Sequence, residues 1–467
     1  MRVGTPSGAT IFGRWRIGAL IVLLVVCLCG GGSSRTSVLS LLYLRPFAAV
    51  SLTAILLVTT RKELRPVRTP LILLGLFAAT IAIQLIPLPP AVWTNLPGRA
   101  ELARAAVGAG LLLSWRPISL TPDLTLNSLL SLVPPLAALI AVAGLKSGEH
   151  RTVVHVLLLG VISSTVLGIA QLAGGDGGGA YLYAVRRPDP ASGLFANRNH
   201  NAAFLAIGLL CLGHWASEGA RRRLVPGGRL MVAAGVGLLL ILMIVATGSR
   251  SGTVIALPAL LAAFLIAFPK VTPHSPRTRI ALVLVPALVL GGAIMVAIAA
   301  GRGASLDRIA GFDADSENRL RNFPVLVDML RSFLPVGIGF GAFDPAFRWF
   351  EPDRLLHPQV FNHAHNDWLE LLLTGGIPSA LVLLAFLAWA GRAIWRIGRD
   401  RDGHGAFAVT GAGVVLILGA ASVSDYPLRT PILAVVFAIA CAWISMSATE
   451  QPEEGSGARE RRLRSRT

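Results

Sequence analysis

The chain reads as an all-α, polytopic integral membrane protein with about 12 transmembrane helices and one large outward loop folded as a subdomain. Three observations give that reading. Of its 467 residues, 54% are hydrophobic and only 14% charged, which in a soluble protein would leave large exposed apolar patches. Apolar runs of about 20 residues, enough to cross ~30 Å of hydrocarbon as a helix, recur from end to end. The basic residues fall in alternate short loops between those runs.

The runs lie at 17–31, 38–59, 69–88, 124–144, 152–173, 200–217, 229–247, 251–269, 279–299, 372–390, 405–424 and 430–447. Inside hydrocarbon only helices or closed barrels satisfy their backbone, and unbroken runs of this length are helical. The expected organisation is therefore helices 1 to 9 over residues 1–299 and an outward loop with an amphipathic helix over 300–371. Helices 10 to 12 follow over 372–448, then a disordered basic tail over 449–467. The basic start followed by an apolar run lacks a small-residue cleavage site, so it reads as a first membrane helix rather than a removed signal. Cys27, Cys29, Cys211 and Cys441 all lie within apolar spans, where packing is their expected role and neither a disulfide nor a zinc site is marked.

The net charge of +18 does not point to nucleic acid. Arg61-Lys62 with Arg65 and Arg68, Arg221 to Arg223, Arg392 to Arg401 and the tail from Arg459 all fall on one side of the threaded topology. That is the positive-inside pattern, and it puts both termini in the cytoplasm. The basic residues left on the outward side are all arginines and run against the rule.

Several of those arginines sit in polar motifs beside helix ends. In Gly193 to Asn201 the residues Asn197, Arg198, Asn199 and His200 precede a span, where they can cap a helix and offer donors to an anion at its N-terminus. Ordinary capping is the competing reading, although five polar side chains in succession exceed what a cap requires. In Thr247 to Gly252, Ser249 and Arg250 form a tight hairpin. Arg250 either snorkels to headgroups or presents a planar donor fork to a phosphate. In the large loop, Glu317 to Asn322 carries Arg319 and Arg321 ahead of an apolar spacing that predicts an amphipathic helix lying along the membrane plane. Gly337 to Phe343 follows as a backbone-permissive turn, in a loop too long for a mere connector.

The loop ends in Phe361-Asn362-His363-Ala364-His365-Asn366-Asp367-Trp368. Ionisable groups at the edge of a hydrocarbon layer mark functional sites. A cap for the next span is the bland alternative. A metal site on His363, His365 and Asp367 lacks a supporting ligand cluster, so no metal and no cofactor is expected. General-base chemistry remains, with an imidazole accepting a proton while arginines hold a departing anion.

Taken in order, these motifs resemble the O-antigen ligase and polymerase superfamily of bacterial envelope glycosyltransferases. The matching features are the twelve spans, the Asn/His-rich motif at 193–201, Gly-Ser-Arg-Ser at 248–251 and the single large loop. That loop runs from an Arg-led segment through Pro-x-Gly-x-Gly-x-Gly at 335–341 to His-x-His-Asn before the next span. The resemblance implies metal-independent, inverting transfer of a glycan from an undecaprenyl diphosphate carrier at the periplasmic face of the inner membrane. It gives His365 the base position, with His363 second, and gives Arg198, Arg250 and Arg319 the diphosphate. Asp425, with Tyr426 and Arg429 in the last outward turn, is expected to border the same cavity. The chain departs from the pattern at Leu373, where many relatives carry Glu; Glu370 lies one turn earlier.

The implied partners are the lipid-linked donor, membrane lipids, and a lipid A-core or growing polysaccharide acceptor, with no nucleic acid. A polysaccharide polymerase extending the carrier-linked glycan shares these motifs. A twelve-span transporter is the reading from another class, against which stand the lack of similarity between halves and the gathering of polar residues at one face.

Overall fold

In the computed structural model the described residues are 8–174, 180–184, 191–221, 226–268, 314–356, 361–399 and 405–449, with isolated positions between 284 and 295. They are helical nearly throughout. The first group comprises α1 (Gly8–Gly30), α2 (Leu41–Leu57), α3 (Arg61–Leu64), α4 (Arg68–Ile83), α5 (Pro90–Trp93) and α6 (Ala100–Gly108). Next come α7 (Pro122–Leu130), α8 (Val133–Ala143), α9 (Ser147–Gly174), α10 (Arg198–Arg221), α11 (Pro226–Ala246) and α12 (Arg250–Ala267). The C-terminal part holds α13 (Ala314–Phe333), α14 (Phe343–Phe350), α15 (Asp367–Arg399), α16 (Ala406–Ala421) and α17 (Pro431–Thr449). One small ribbon, β1 (Pro87–Leu88) and β2 (Arg116–Pro117), pairs antiparallel with Leu88 opposite Arg116.

Among the described residues, six helices are long and apolar enough to cross a membrane: Arg61–Ile83, Pro122–Ala143, Ser147–Gly174, Gly228–Ala246, Arg250–Ala267 and Asp367–Arg399. Four shorter apolar helices, Trp15–Gly30, Leu41–Leu57, Ala406–Ala421 and Pro431–Ser447, accompany them. The expected run at 279–299 lies almost wholly outside the described residues, and all of 300–313 and the tail from 450 lie outside them. The expected run at 200–217 is the helix α10, and its surroundings explain its weaker apolar character. Every residue from His200 to His214 is buried, because α9, α11, α12 and α16 pack around it. A helix enclosed by protein on all sides can carry polar groups at its ends, where other helices supply partners.

A second, smaller core sits apart from the main one. It joins Val325, Leu326, Met329 and Phe333 of α13 to Phe343, Ala346 and Phe347 of α14. The loop residues Ile338, Ala342 and Ala364 and Leu373 of α15 complete it. The apolar stripe of α13 packs into this core through Val325, Leu326, Met329 and Phe333, while Phe323 of the same helix stays exposed. Leu373, where the family resemblance implies Glu, is one of its buried members at 1% exposure.

This core is anchored to a break in α15. Gly376 has φ 62° and ψ −156°, and Pro378 follows, so the helix cannot hydrogen-bond through the segment. The Gly-rich loop fills the gap. Ile338 and Gly339 donate to the freed carbonyls of Leu373 and Thr374, both at 3.0 Å, and the Ile377 N–H donates to Pro335 at 2.9 Å. Gln84, past the end of α4, adds a bond from Nε2 to the Thr374 carbonyl (2.9 Å) and accepts the Phe340 N–H (3.1 Å). A helix break at membrane depth is tolerated when protein satisfies it in this way.

Candidate functional site

The turn before α10 is shaped by a buried polar network on α9. Gly193 has φ 57°, and a Cβ there would strike Ser164 and Asn201. Gln171 brackets it, accepting the Gly193 N–H at 2.8 Å and donating to the Gly193 carbonyl at 3.1 Å. Ser164 donates to Asn201 Oδ1 at 2.7 Å, and Asn201 Nδ2 donates to the Ala191 carbonyl at 2.8 Å. The turn so fixed delivers Asn197 to the start of α10, where its Oδ1 accepts the Asn199 N–H at 2.9 Å.

Asp425 is where the motifs meet. Its carboxylate, 2% exposed, accepts from Asn199 Nδ2 at 2.6 Å, Asn197 Nδ2 at 3.2 Å and its neighbour's Tyr426 N–H at 3.0 Å. His365 Nδ1 stands 3.5 Å and His200 Nε2 3.8 Å from the same oxygen, Oδ1. Burial alone would raise this carboxyl, but the hydrogen bonds and charges of His200 and His365 more than offset it and hold it well below the usual carboxylate range. The Tyr426 ring packs against all three imidazoles, at centroid distances of 4.2 Å to His363, 5.0 Å to His365 and 5.2 Å to His200.

A second carboxylate group lies beside it. Glu370, 1% exposed, accepts from His363 Nδ1 at 3.0 Å and from the Ala364 N–H at 2.8 Å. Arg429 ties it to the turn between α16 and α17, with Nη2 3.2 Å from Glu370 and Nε 2.9 Å from Asp367. Burial pulls the Arg429 guanidinium down, and the Glu370 and Asp367 charges push it above its ordinary value. The Asp367 N–H donates to the Ser422 carbonyl at 2.9 Å, so the start of α15 is fastened to the end of α16. Ala364, between the two histidines, is buried in the second core, and His365 takes φ 51°, a left-handed conformation uncommon outside glycine.

The structure therefore brings together Asn197, Asn199, His200, His363, His365, Glu370 and Asp425 from three separate stretches of chain. Asn366 caps α15, its Oδ1 accepting the Leu369 N–H at 3.1 Å. Ser249 caps α12, accepting the Gly252 N–H at 3.1 Å. Arg198 is buried at the first position of α10 and Arg250 half-buried at the first position of α12. These two helix starts lie side by side, since Gly252 packs directly on Ala202. Both N-termini therefore add their partial positive charge to the two guanidinium groups. Arg321 is exposed on α13, and the side chain of Arg319 lies outside the described residues. Sequence reasoning placed Arg429 only near the cavity and missed its bridge to Glu370 and Asp367. It also missed Ser164 and Gln171, although two polar residues seven positions apart within an apolar run are a signal. Among the described residues, no group of three or more His, Cys, Asp or Glu is placed to hold a metal ion.

Residues 235–384 match the family model described as O-Antigen ligase. The matched stretch, about a third of the chain, includes Arg250, His363, His365 and Glu370. It excludes Asn197 to His200 and the Asp425 turn, which the fold brings to the same place. No curated protein matches the chain. Together with the apolar helices, the match supports a multi-pass membrane protein of the O-antigen ligase and polymerase superfamily.

Proposed function

From a chain whose residues 235–384 are O-antigen ligase family sequence, we propose a membrane glycosyltransferase that moves a glycan from an undecaprenyl diphosphate carrier to an acceptor hydroxyl. We assign the reaction to the periplasmic face of the inner membrane, with both termini cytoplasmic, on the positive-inside distribution of Lys and Arg in the sequence. The observation that carries this reading is the convergence on Asp425. Two amides and two imidazoles surround one buried carboxylate, with a second imidazole–carboxylate pair alongside. A purely structural cap needs none of these imidazoles.

The chemistry follows from the residue types. The donor is already activated by its diphosphate, so no nucleotide is required. An acceptor hydroxyl attacks the anomeric carbon while an imidazole takes its proton, a contribution of about 10²–10⁴ in rate. Charge develops on the departing diphosphate, and fixed guanidinium groups stabilise it best where water is scarce. Arg198 and Arg250, at adjacent helix N-termini, are assigned that task, and the family resemblance adds Arg319. The family motif gives the base to His365, while the geometry offers two carboxylate-backed imidazoles, His365 on Asp425 and His363 on Glu370.

Purified protein in nanodiscs, given an undecaprenyl diphosphate-linked glycan and lipid A-core, is expected to release undecaprenyl diphosphate one-for-one with glycosylated acceptor. Release with the donor alone, accompanied by longer carrier-linked glycan, favours the polymerase reading. Passage of the donor across a sealed vesicle without bond cleavage rejects glycan transfer in favour of transport.

A further inference from the structure

The cluster holds three imidazoles, and they differ in access. Side-chain exposure is 2% at His200 and 5% at His365, against 15% at His363. A base must present a ring nitrogen within about 3 Å of the proton it removes. His363 is arranged for this. Its Nδ1–H donates to Glu370 at 3.0 Å, which selects the tautomer with a lone pair on Nε2. Among the described residues nothing is shown hydrogen-bonding that Nε2, and the ring also packs at a tilt against Tyr426, with centroids 4.2 Å apart.

Glu370 is itself immobilised. The Ala364 N–H at 2.8 Å and Arg429 at 3.2 Å hold both of its oxygens, so the imidazole it orients cannot swing away. His365 has a different setting. It shares Asp425 Oδ1 with His200, and its ring is enclosed by Phe361 and Tyr426 at 5.6 and 5.0 Å.

We propose that His363, oriented by Glu370, is the group that takes the proton from the acceptor hydroxyl, and that His365 is a positioning residue locking the His-x-His turn onto Asp425. This rests on the glycan-transfer reading above and departs from the family motif's order of preference. In the step, the hydroxyl oxygen bonds to the anomeric carbon and the bond from that carbon to the diphosphate oxygen breaks. The electron pair leaves with the diphosphate, and the hydroxyl proton ends on His363 Nε2, from which water removes it after product release. The charged and titratable groups around His363 are His365 on its own segment, Asp367 and Glu370 of α15, and Asp425, Tyr426 and Arg429 of the α16–α17 turn. His200 of α10, on the other side of Asp425 and Tyr426, completes the set.

The test is the pH dependence of turnover in His363→Asn and His365→Asn. Asparagine places its amide where Nδ1 was, so each variant keeps its bond to Glu370 or Asp425 and loses only the distal nitrogen. His363→Asn is expected to lower kcat by about 10²–10⁴ with KM for the donor unchanged, to lose the fall in rate on acidification, and to recover partly when imidazole is added. His365→Asn is expected to keep that acidic limb. Glu370→Gln is expected to lower kcat with KM for the donor unchanged, because the imidazole loses the carboxylate that fixes its tautomer and orientation. The inference is overturned if His363→Asn keeps the acidic limb at near wild-type kcat. If the wild type itself releases no diphosphate, the glycan-transfer reading is what fails.

Discussion

Asn199 donates to Asp425 at 2.6 Å across 226 positions of sequence, closing the start of α10 onto the turn between α16 and α17. Both partners are polar, both lie beside apolar helices, and the bond is charge-assisted, which makes it about twice as strong as a neutral one. It joins the Asn/His-rich motif to the His-x-His motif, since Asp425 also faces His365.

Asp425→Asn keeps the shape but removes the charge and turns an amide toward the donors of Asn197 and Asn199. Leaving those donors unmatched is expected to lower stability by about 1–3 kcal/mol, read as a fall in thermal midpoint. The pH dependence follows from the direction of the shift. A carboxyl held low contributes stability fully above its unfolded value, about 3.9, and loses it as pH falls through the lower folded value. The gap in midpoint between wild type and variant is therefore expected not to shrink between pH 8 and pH 5. A gap already closed at pH 6 would show that the carboxyl is not held down.

Arg429 neutralises two buried carboxylates at once. Arg429→Ala leaves Glu370 and Asp367 facing each other without a cation and is expected to destabilise by about 3–5 kcal/mol. Arg429→Lys restores charge without the fork and is expected to fall between the two. Thermal unfolding in detergent measures the order; equal midpoints for Lys and Ala would show that the fork itself, not the charge, is what matters.

At Gly376 the backbone is left-handed, and a Cβ there would strike the Pro335 carbonyl. Gly376→Ala is expected to cost about 1–3 kcal/mol and to loosen the loop 334–341 from the helix break. Limited proteolysis reads the second effect as new cleavage within that loop. An unchanged digestion pattern would mean that the loop holds the break without the glycine.

Much of this was legible in the sequence, for reasons that particular residues make plain. The apolar runs marked most of the helices, and Asn197, His200, His365 and Asp425 were recognisable because polar groups beside a membrane span are rarely idle. Contacts between distant segments were not legible. Nothing local distinguishes Arg429 as the bridge between Glu370 and Asp367, since the bridge depends on how α15 and α16 are fastened. Ser249 and Asn366, expected among the substrate-binding residues, cap α12 and α15, and caps and anion sites draw on the same side chains. The stripe of α13 could equally have faced lipid or protein, and only packing decides between them.

For the guanidinium groups, Arg198→Ala and Arg250→Ala are each expected to reduce kcat/KM for the lipid-linked donor by about 10²–10³, the usual loss when one charge-stabilising donor is removed. Steady-state kinetics at fixed acceptor concentration measures it. A variant with unchanged kcat/KM would take that arginine out of the diphosphate site.

The central claim is imidazole-assisted displacement of the diphosphate at the Asp425–Glu370 cluster. It is tested most directly by single-turnover release of undecaprenyl diphosphate from wild type and from the double variant His363→Asn/His365→Asn. Wild type is expected to release it in step with the new glycosidic bond, and the double variant to bind the donor but react at least about 10²-fold more slowly. Release by the double variant at the wild-type rate would contradict the account.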